Sequence, residues 1–283
     1  MAPARKIGRE EVEYAVAKIE KQGFTPYFEE DLFAVDRQFA GTDLQRTDYF
    51  QRMLDRKDIR AVISARGGYG SVRVIDGLDL SRFRNDPKWV VGYSDMTVFH
   101  SHIVKHTGIQ TLHASMPLNF AENTEEALQG LFDVLKGKTP EYHISSHILN
   151  RKGDASGTLV GGNLSVLYSL LGSRSFPETK GAILFLEDLD EYLYHIDRMM
   201  VGLKRAGVLQ GVAALVVGGM TEMNDNEVPF GRTPEEIIME AVAEYQFPVC
   251  FDFPAGHIPD NRPLIMGAPA ELKVGSRISL KFI

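Results

Sequence analysis

Trp89-Val90-Val91-Gly92-Tyr93-Ser94-Asp95-Met96-Thr97 is the stretch on which the reading of this chain turns. Trp89 to Gly92 is a short apolar run suited to a buried strand, and Met96 to Lys105 resumes helical character. Strand, tight turn and helix in succession are the unit of α/β folds built on a mostly parallel sheet. Working outward, Ala61 to Ser64 reads as another buried strand and Ile109 to His113 as a third. Arg9 to Lys21 places Val12, Ala15, Val16 and Ile19 at helical spacing, with Gly23 as a stop, and Asp43 to Arg56 fits a second helix. Arg66-Gly67-Gly68-Tyr69-Gly70 reads as a loop that opens a further helix through Ser71 to Ile75.

A helix fits Glu125 to Lys136, after which Gly137 to Asp154 reads as a looser, more polar stretch. We place the boundary there: residues 1–135 form an N-terminal domain, 136–156 a linker and 157–283 a C-terminal domain. The second half begins Gly157-Thr-Leu-Val-Gly-Gly-Asn163. It carries expected strands at Ala182 to Leu186, Ala214 to Gly218, Val249 to Phe253 and Ile278 to Phe282. Helices fit Ile196 to Ala206 and Thr233 to Tyr245, the second opened by a Thr-Pro pair.

The 283 residues are 44% hydrophobic and include 16 Phe and 10 Tyr, enough apolar surface for a large core, so global disorder is excluded. A formal net charge of -7 argues against a general nucleic-acid binder, which needs a basic field. The single cysteine, Cys250, excludes an internal disulfide or a multi-cysteine metal site, and its apolar flanks from Phe247 to Phe253 favour a buried, inert thiol. No stretch approaches the roughly 18 apolar residues needed to span a bilayer, and the first residues lack the apolar core of a signal peptide. These features lead us to expect a cytoplasmic, soluble protein with no membrane or nucleic-acid partner.

Nucleophilic serines need a turn sharp enough to lift Oγ clear of the sheet and a following helix whose N–H groups hold a developing oxyanion. Ser94 has that context. The residues alone leave a second reading open, in which Ser94 or Asp95 merely caps the helix. A nucleophilic serine requires a base and an orienting carboxylate. His100, His102 and His106 lie on the helix after Ser94 and read as surface or packing groups. His113, His143, His147 and His195 carry no accompanying signal. His257 follows a strand in Phe253-Pro-Ala-Gly-His-Ile-Pro-Asp260, a loop of the kind that carries catalytic groups, although a structural hydrogen bond also explains it. Glu187 comes where the apolar strand ends, and Asp188, Asp190 and Glu191 follow; the competing reading is a solvated helix start. The paired Gly67 and Gly68 lack the pattern of a phosphate cradle, but allow backbone to approach a substrate closely.

Five ordered motifs together resemble the LD-carboxypeptidases, the murein tetrapeptide carboxypeptidases and their microcin C immunity relatives. They are Arg-Gly-Gly-Tyr-Gly at 66–70, Gly-Tyr-Ser-Asp-Met-Thr at 92–97, Gly-Gly-Asn-Leu at 161–164, Glu-Asp-Leu-Asp-Glu-Tyr-Leu-Tyr-His-Ile-Asp-Arg at 187–198 and Gly-His-Ile at 256–258. The resemblance runs from about Pro3 to the C-terminus. It implies a Rossmann-like, class I glutamine amidotransferase-like N-terminal domain with a parallel sheet and a smaller, strand-rich α/β C-terminal domain.

It also implies a triad of Ser94, Glu187 and His257, with an oxyanion hole from the backbone of Gly68, or less favourably Gly67, and that of Asp95. Asn163, Glu191 and Arg198 become candidates for positioning substrate. The activity implied is serine-type release of the terminal D-alanine from a murein tetrapeptide in cell-wall recycling, with no metal or cofactor, by a protein that often dimerises. Two alternatives accompany it: an immunity-type hydrolase of aminoacyl-nucleotide bonds, and a non-catalytic binder of murein peptides. One departure stands out. The family has a first β-strand before the segment equivalent to Ala2-Pro3-Ala4, and its absence here leads us to expect an unfilled sheet position.

Overall fold

Three short apolar runs begin the first sheet: Ala61–Ile63 (β1), Trp89–Gly92 (β2) and Thr111–His113 (β3) pair in parallel in that order. They belong to a computed structural model that describes residues 1–283. Val90, Val91 and Leu112 are completely buried, as parallel strands flanked by helices require. Those helices are Glu10–Lys21 (α1), Asp43–Asp55 (α2), Ser81–Asn85 (α3), Thr97–Thr107 (α4) and Glu125–Leu135 (α5). At the start of α2, Thr42 and Gln45 exchange side-chain and backbone hydrogen bonds in a capping box. Gly108, at φ 70°, ends α4 in the left-handed region. Beside β1, the Met1 amino group donates to Ile63 O and Ala65 N–H donates to Met1 O. These two bonds come from one residue; no strand pairs with β1 on that side, and β1 is the edge of the sheet.

The remaining strands are Glu141–Ser145 (β4), Gly153–Asn163 (β5), Ile183–Leu189 (β6), Ala214–Thr221 (β7), Val249–Cys250 (β8), Leu264–Met266 (β9), Pro269–Val274 (β10) and Arg277–Phe282 (β11). All but β9 form a second sheet in the order β4-β11-β10-β5-β6-β7-β8. Within it β5 joins two regimes. Gly153 to Thr158 pair antiparallel with β10, and Leu159 to Asn163 pair parallel with β6. Its burial changes at the same point, from alternating exposure to continuous burial. Leu164–Ser169 (α6), Leu193–Arg205 (α7) and Pro234–Ala241 (α8) complete the half. Ile196, Met199, Met200 and Leu203 form the buried stripe of α7, in one cluster with Leu184, Leu186, Leu215 and Val217 of β6 and β7. The ninth strand instead pairs antiparallel with β3, so a segment from far along the chain closes the first sheet.

The α/β class with parallel sheets is therefore as the sequence led us to expect. Some elements differ. Ser71 to Ile75 is not an α-helix but two 3-10 turns, Ser71–Arg73 and Ile75–Gly77. The stretch from Gly137 to Asp154 holds β4 and the start of β5, because every second residue of β4 faces solvent and the strand consequently reads as polar. Only Val249–Cys250 of the expected strand through Phe253 pairs in the sheet, although Phe251 and Phe253 stay fully buried. Cys250 is buried too, and burial pushes its thiol up to about 12.

Candidate active site

Where β2 ends, the backbone of Ser94 adopts φ 65°, left-handed space that costs a non-glycine residue on the order of 1 kcal/mol or more. A 3-10 turn, Ser94–Met96, then runs directly into α4. Asp95 does not cap its helix. Its carboxylate is buried and Oδ2 accepts the Ser71 N–H at 2.7 Å, tying the Gly-rich loop to the serine turn. From below the same loop the buried Arg46 donates to Gly70 O at 3.0 Å and to Pro3 O. Burial pushes the Asp95 carboxyl above its ordinary range, against the pull of the Ser71 donor and the Arg46 charge.

Held this way, Gly67 faces the serine. A Cβ on Gly67 would lie 3.0 Å from Ser94 Cβ and 3.1 Å from Ser94 Oγ, so a side chain there would press on the serine. The next residue, Gly68, is exposed, and a Cβ there would collide with Cγ and Cδ of Arg5.

Near the C-terminal end of β6 stands Glu187, fully buried, and the loop after β8 brings His257 to it. His257 Nδ1 lies 2.6 Å from Glu187 Oε2, and the same oxygen accepts the His257 backbone N–H at 3.2 Å. Gly256 allows this contact: a Cβ there would lie 2.7 Å from both Cβ and Oε2 of Glu187. Asn261 Oδ1 accepts the Gly256 N–H at 2.8 Å, and Thr221 Oγ1 donates to His257 O at 3.0 Å. The loop is fixed from both sides. With a carboxylate as its partner, Nδ1 is the protonated nitrogen, which leaves the Nε2 lone pair available to take a proton.

Burial disfavours the His257 imidazolium, but the Glu187 charge and hydrogen bond outweigh it, and the pKa stands above the ordinary histidine value. Asp188 and Glu222 push the same way. For Glu187 burial favours the neutral acid, and the His257 charge and hydrogen bonds overcome it, so the carboxyl stays below its ordinary value. Both directions describe one pair poised to carry a proton on the imidazole. No hydrogen bond joins Ser94 Oγ to His257; the ring of Tyr93, the residue before the serine, lies 4.7 Å from the His257 ring. Such contacts often tighten only when substrate is present.

Asn163 is buried and engaged on several sides. Its Oδ1 accepts Val166 N–H at 3.1 Å and caps α6, its Nδ2 donates to Asp188 Oδ1 at 2.8 Å, and its backbone N–H donates to Thr97 Oγ1. Asp188, read from sequence as part of a solvated charge run, is buried and also accepts Ser165 N–H and Leu189 N–H. Burial, followed by the neighbouring Glu187 charge, pushes its carboxyl up to about 7 despite these donors. Glu191 turns instead to His195 Nδ1, at 2.7 Å, and the exposed Arg198 lies over the Tyr194 ring. Sequence reasoning overlooked Asp188, Asn261 and the buried His113 ring, which packs between Tyr93 and Phe185. Only Asp188 had a sequence signal, its place directly after Glu187. His100 and His102 are buried packing groups, bonded to Thr111 and Ser175.

A strand-ended serine on a strained turn and a buried carboxylate–imidazole pair, within this α/β framework, put the chain in the class of serine-type peptidases. It belongs to the LD-carboxypeptidase family, whose N-terminal domain matches residues 1–114 and whose C-terminal domain matches residues 156–272. A Bacillus subtilis relative named "Probable murein peptide carboxypeptidase" is 30% identical, with 99% of this chain and 89% of that protein covered. The murein tetrapeptide carboxypeptidase of Pseudomonas aeruginosa is 29% identical over 98% of this chain and 93% of its own. The crystal structure of muramoyltetrapeptide carboxypeptidase from Oxalobacter formigenes superimposes with a TM-score of 0.90 at 26% identity, covering 100% and 97% of the two chains. The microcin C7 self-immunity protein MccF of Escherichia coli is 27% identical, covering 99% of this chain and 88% of its own.

Proposed function

We propose that this enzyme is a serine carboxypeptidase that hydrolyses the L,D peptide bond before the terminal D-alanine of a murein tetrapeptide. The observation that carries the mechanism is the 2.6 Å bond between the fully buried Glu187 carboxylate and His257 Nδ1, which supports a free Nε2 on a ring 4.7 Å from that of Tyr93, the residue before Ser94. The substrate comes from the relatives, two of which are named for murein peptides.

In this reading His257 Nε2 takes the Ser94 hydroxyl proton as Oγ attacks the carbonyl of the diamino acid. Glu187 holds the imidazole and balances the charge it acquires. The carbonyl oxygen becomes an oxyanion, held by the backbone N–H groups of Asp95 and of Gly68, or Gly67 in its place. The tetrahedral intermediate collapses, and the departing D-alanine amine takes the proton from His257. Water, deprotonated by the same imidazole, then cleaves the acyl-enzyme and restores Ser94. The same reading leaves Asn163 as a positioning group for Asp188 and the start of α6, with Glu191 and Arg198 at the rim. It also divides the chain into residues 1–135 and 157–283 with the site between them, and expects a homodimer working in the cytoplasm.

Mass spectrometry of L-Ala-γ-D-Glu-diamino acid-D-Ala after incubation with wild type and Ser94→Ala tests the core of the reading. Loss of one alanine with the first and not the second is expected. The likeness to MccF supplies the competing arm, a processed aminoacyl-nucleotide: turnover of that compound alone would assign the immunity-type activity instead.

A further inference from the structure

An enzyme that removes a single terminal residue has to recognise a free carboxylate two bonds from the nitrogen it expels. We propose that Arg5 and Arg66, beside the Gly67-Gly68 loop, form the subsite for that terminal carboxylate. The inference rests on the carboxypeptidase reading above and adds to it the residues that make the cleavage terminal.

Position comes first. Gly67 faces Ser94 and Gly68 lies under the Arg5 side chain, and consecutive Cα atoms are about 3.8 Å apart, so Arg5 stands one residue along the loop from the nucleophile. Arg5 is exposed, and its guanidinium has neither a hydrogen bond nor an ion pair, so it is free to turn toward a ligand. Arg66 opens the same loop. Its Nη1 donates to Lys6 O at 3.0 Å, which anchors the side chain, while its buried Nε has no partner. Burial and then the Arg5 charge hold Arg66 below the ordinary arginine pKa, with Glu11 the acidic group pulling the other way. Glu11 is itself engaged by the Gly8 N–H. Two like charges therefore share this flank with an unsatisfied donor, an arrangement that an anion relieves.

Glu187, Asp188 and Glu222 all favour positive charge on His257. The two arginines supply the positive charge that the anionic terminus needs, while the amine two bonds from that terminus takes its proton from His257.

The test compares kcat/KM for the tetrapeptide as its free acid and as its C-terminal amide, with wild type, Arg5→Gln and Arg5→Lys. Wild type is expected to prefer the acid by at least about tenfold, the scale of a lost charge-assisted contact. Arg5→Gln should lose about tenfold or more on the acid, chiefly through KM, and no more than about twofold on the amide, with Arg5→Lys recovering part of the difference. Equal losses on both peptides, or no loss on either, overturn the subsite while leaving the carboxypeptidase reading in place. If wild type cleaves neither peptide, that reading fails and the subsite falls with it.

Discussion

Gly67 lets the loop backbone approach Ser94 and Gly256 lets His257 reach Glu187, so substitutions in the proposed triad have specific consequences. Ser94→Ala keeps the turn but removes Oγ; D-alanine release should fall on the order of 10⁴-fold or more, with the melting temperature within a few degrees of wild type. Gly256→Ala places a methyl group 2.7 Å from Glu187 at a backbone φ of 104°, so it should abolish turnover and lower the melting temperature as well. A circular dichroism melt beside the peptide assay separates the two variants.

The Glu187–His257 pair also sets a pH dependence. In the proposed mechanism His257 acts as a base only when neutral, and its raised pKa means that activity should be lost, as pH falls, while still above the ordinary value of 6.5. The acid limb of kcat/KM should therefore lie above pH 6.5. Glu187→Gln removes the charge that holds the proton on the imidazole, so the limb should move to lower pH and the plateau should drop by about 10²- to 10⁴-fold. A limb that stays in place in the variant would show that another group controls it.

Among the elements, the β5–α6 junction joins structure to site. Asn163 caps α6 and donates to the buried Asp188 beside Glu187. Asn163→Ala loses a cap worth about 1 kcal/mol and leaves a buried acceptor short of a donor, worth about 1 to 3 kcal/mol, so urea melts should show a loss of roughly 2 to 4 kcal/mol. Activity should follow stability here; an intact fold with a KM raised many-fold would instead assign Asn163 a direct contact with substrate.

This junction also shows what sequence can convey. The β2–Ser94–α4 unit was legible because strand, turn and helix are adjacent and each has its own pattern. Glu187 and His257 were legible singly as residues at strand ends, but as partners only through the family resemblance, since 70 residues separate them and burial decides their role. The acidic run after Leu186 looked solvated because sequence shows charge, not the two donated backbone N–H groups that let Asp188 be buried. β4, the first half of β5 and β10 alternate exposed with covered residues at glycines, prolines and charges, and their pairing partners lie far away in the chain. No local pattern marks Leu264–Met266 as a strand of the first sheet.

At the scale of the molecule, that strand ties the two sheets into one object. Arg46, Asp95 and the Gly-rich loop also draw Pro3, Gly70 and Ser71 together under the serine turn, so the site depends on the first sheet being complete. Residues 1–150 produced alone lack the partner of β3, and they should show no cooperative thermal transition; adding residues 151–283 in trans should restore one if the two parts can still assemble.

The late strand also sets a clock. During synthesis β3 emerges with one edge bare, and roughly 150 further residues must leave the ribosome before Leu264 can cover it. At about 5 to 20 residues per second this interval lasts on the order of ten seconds. Throughout it the nascent chain presents an apolar strand edge to its surroundings, so the demand for chaperone protection falls on the first half of the protein while the last is still being made.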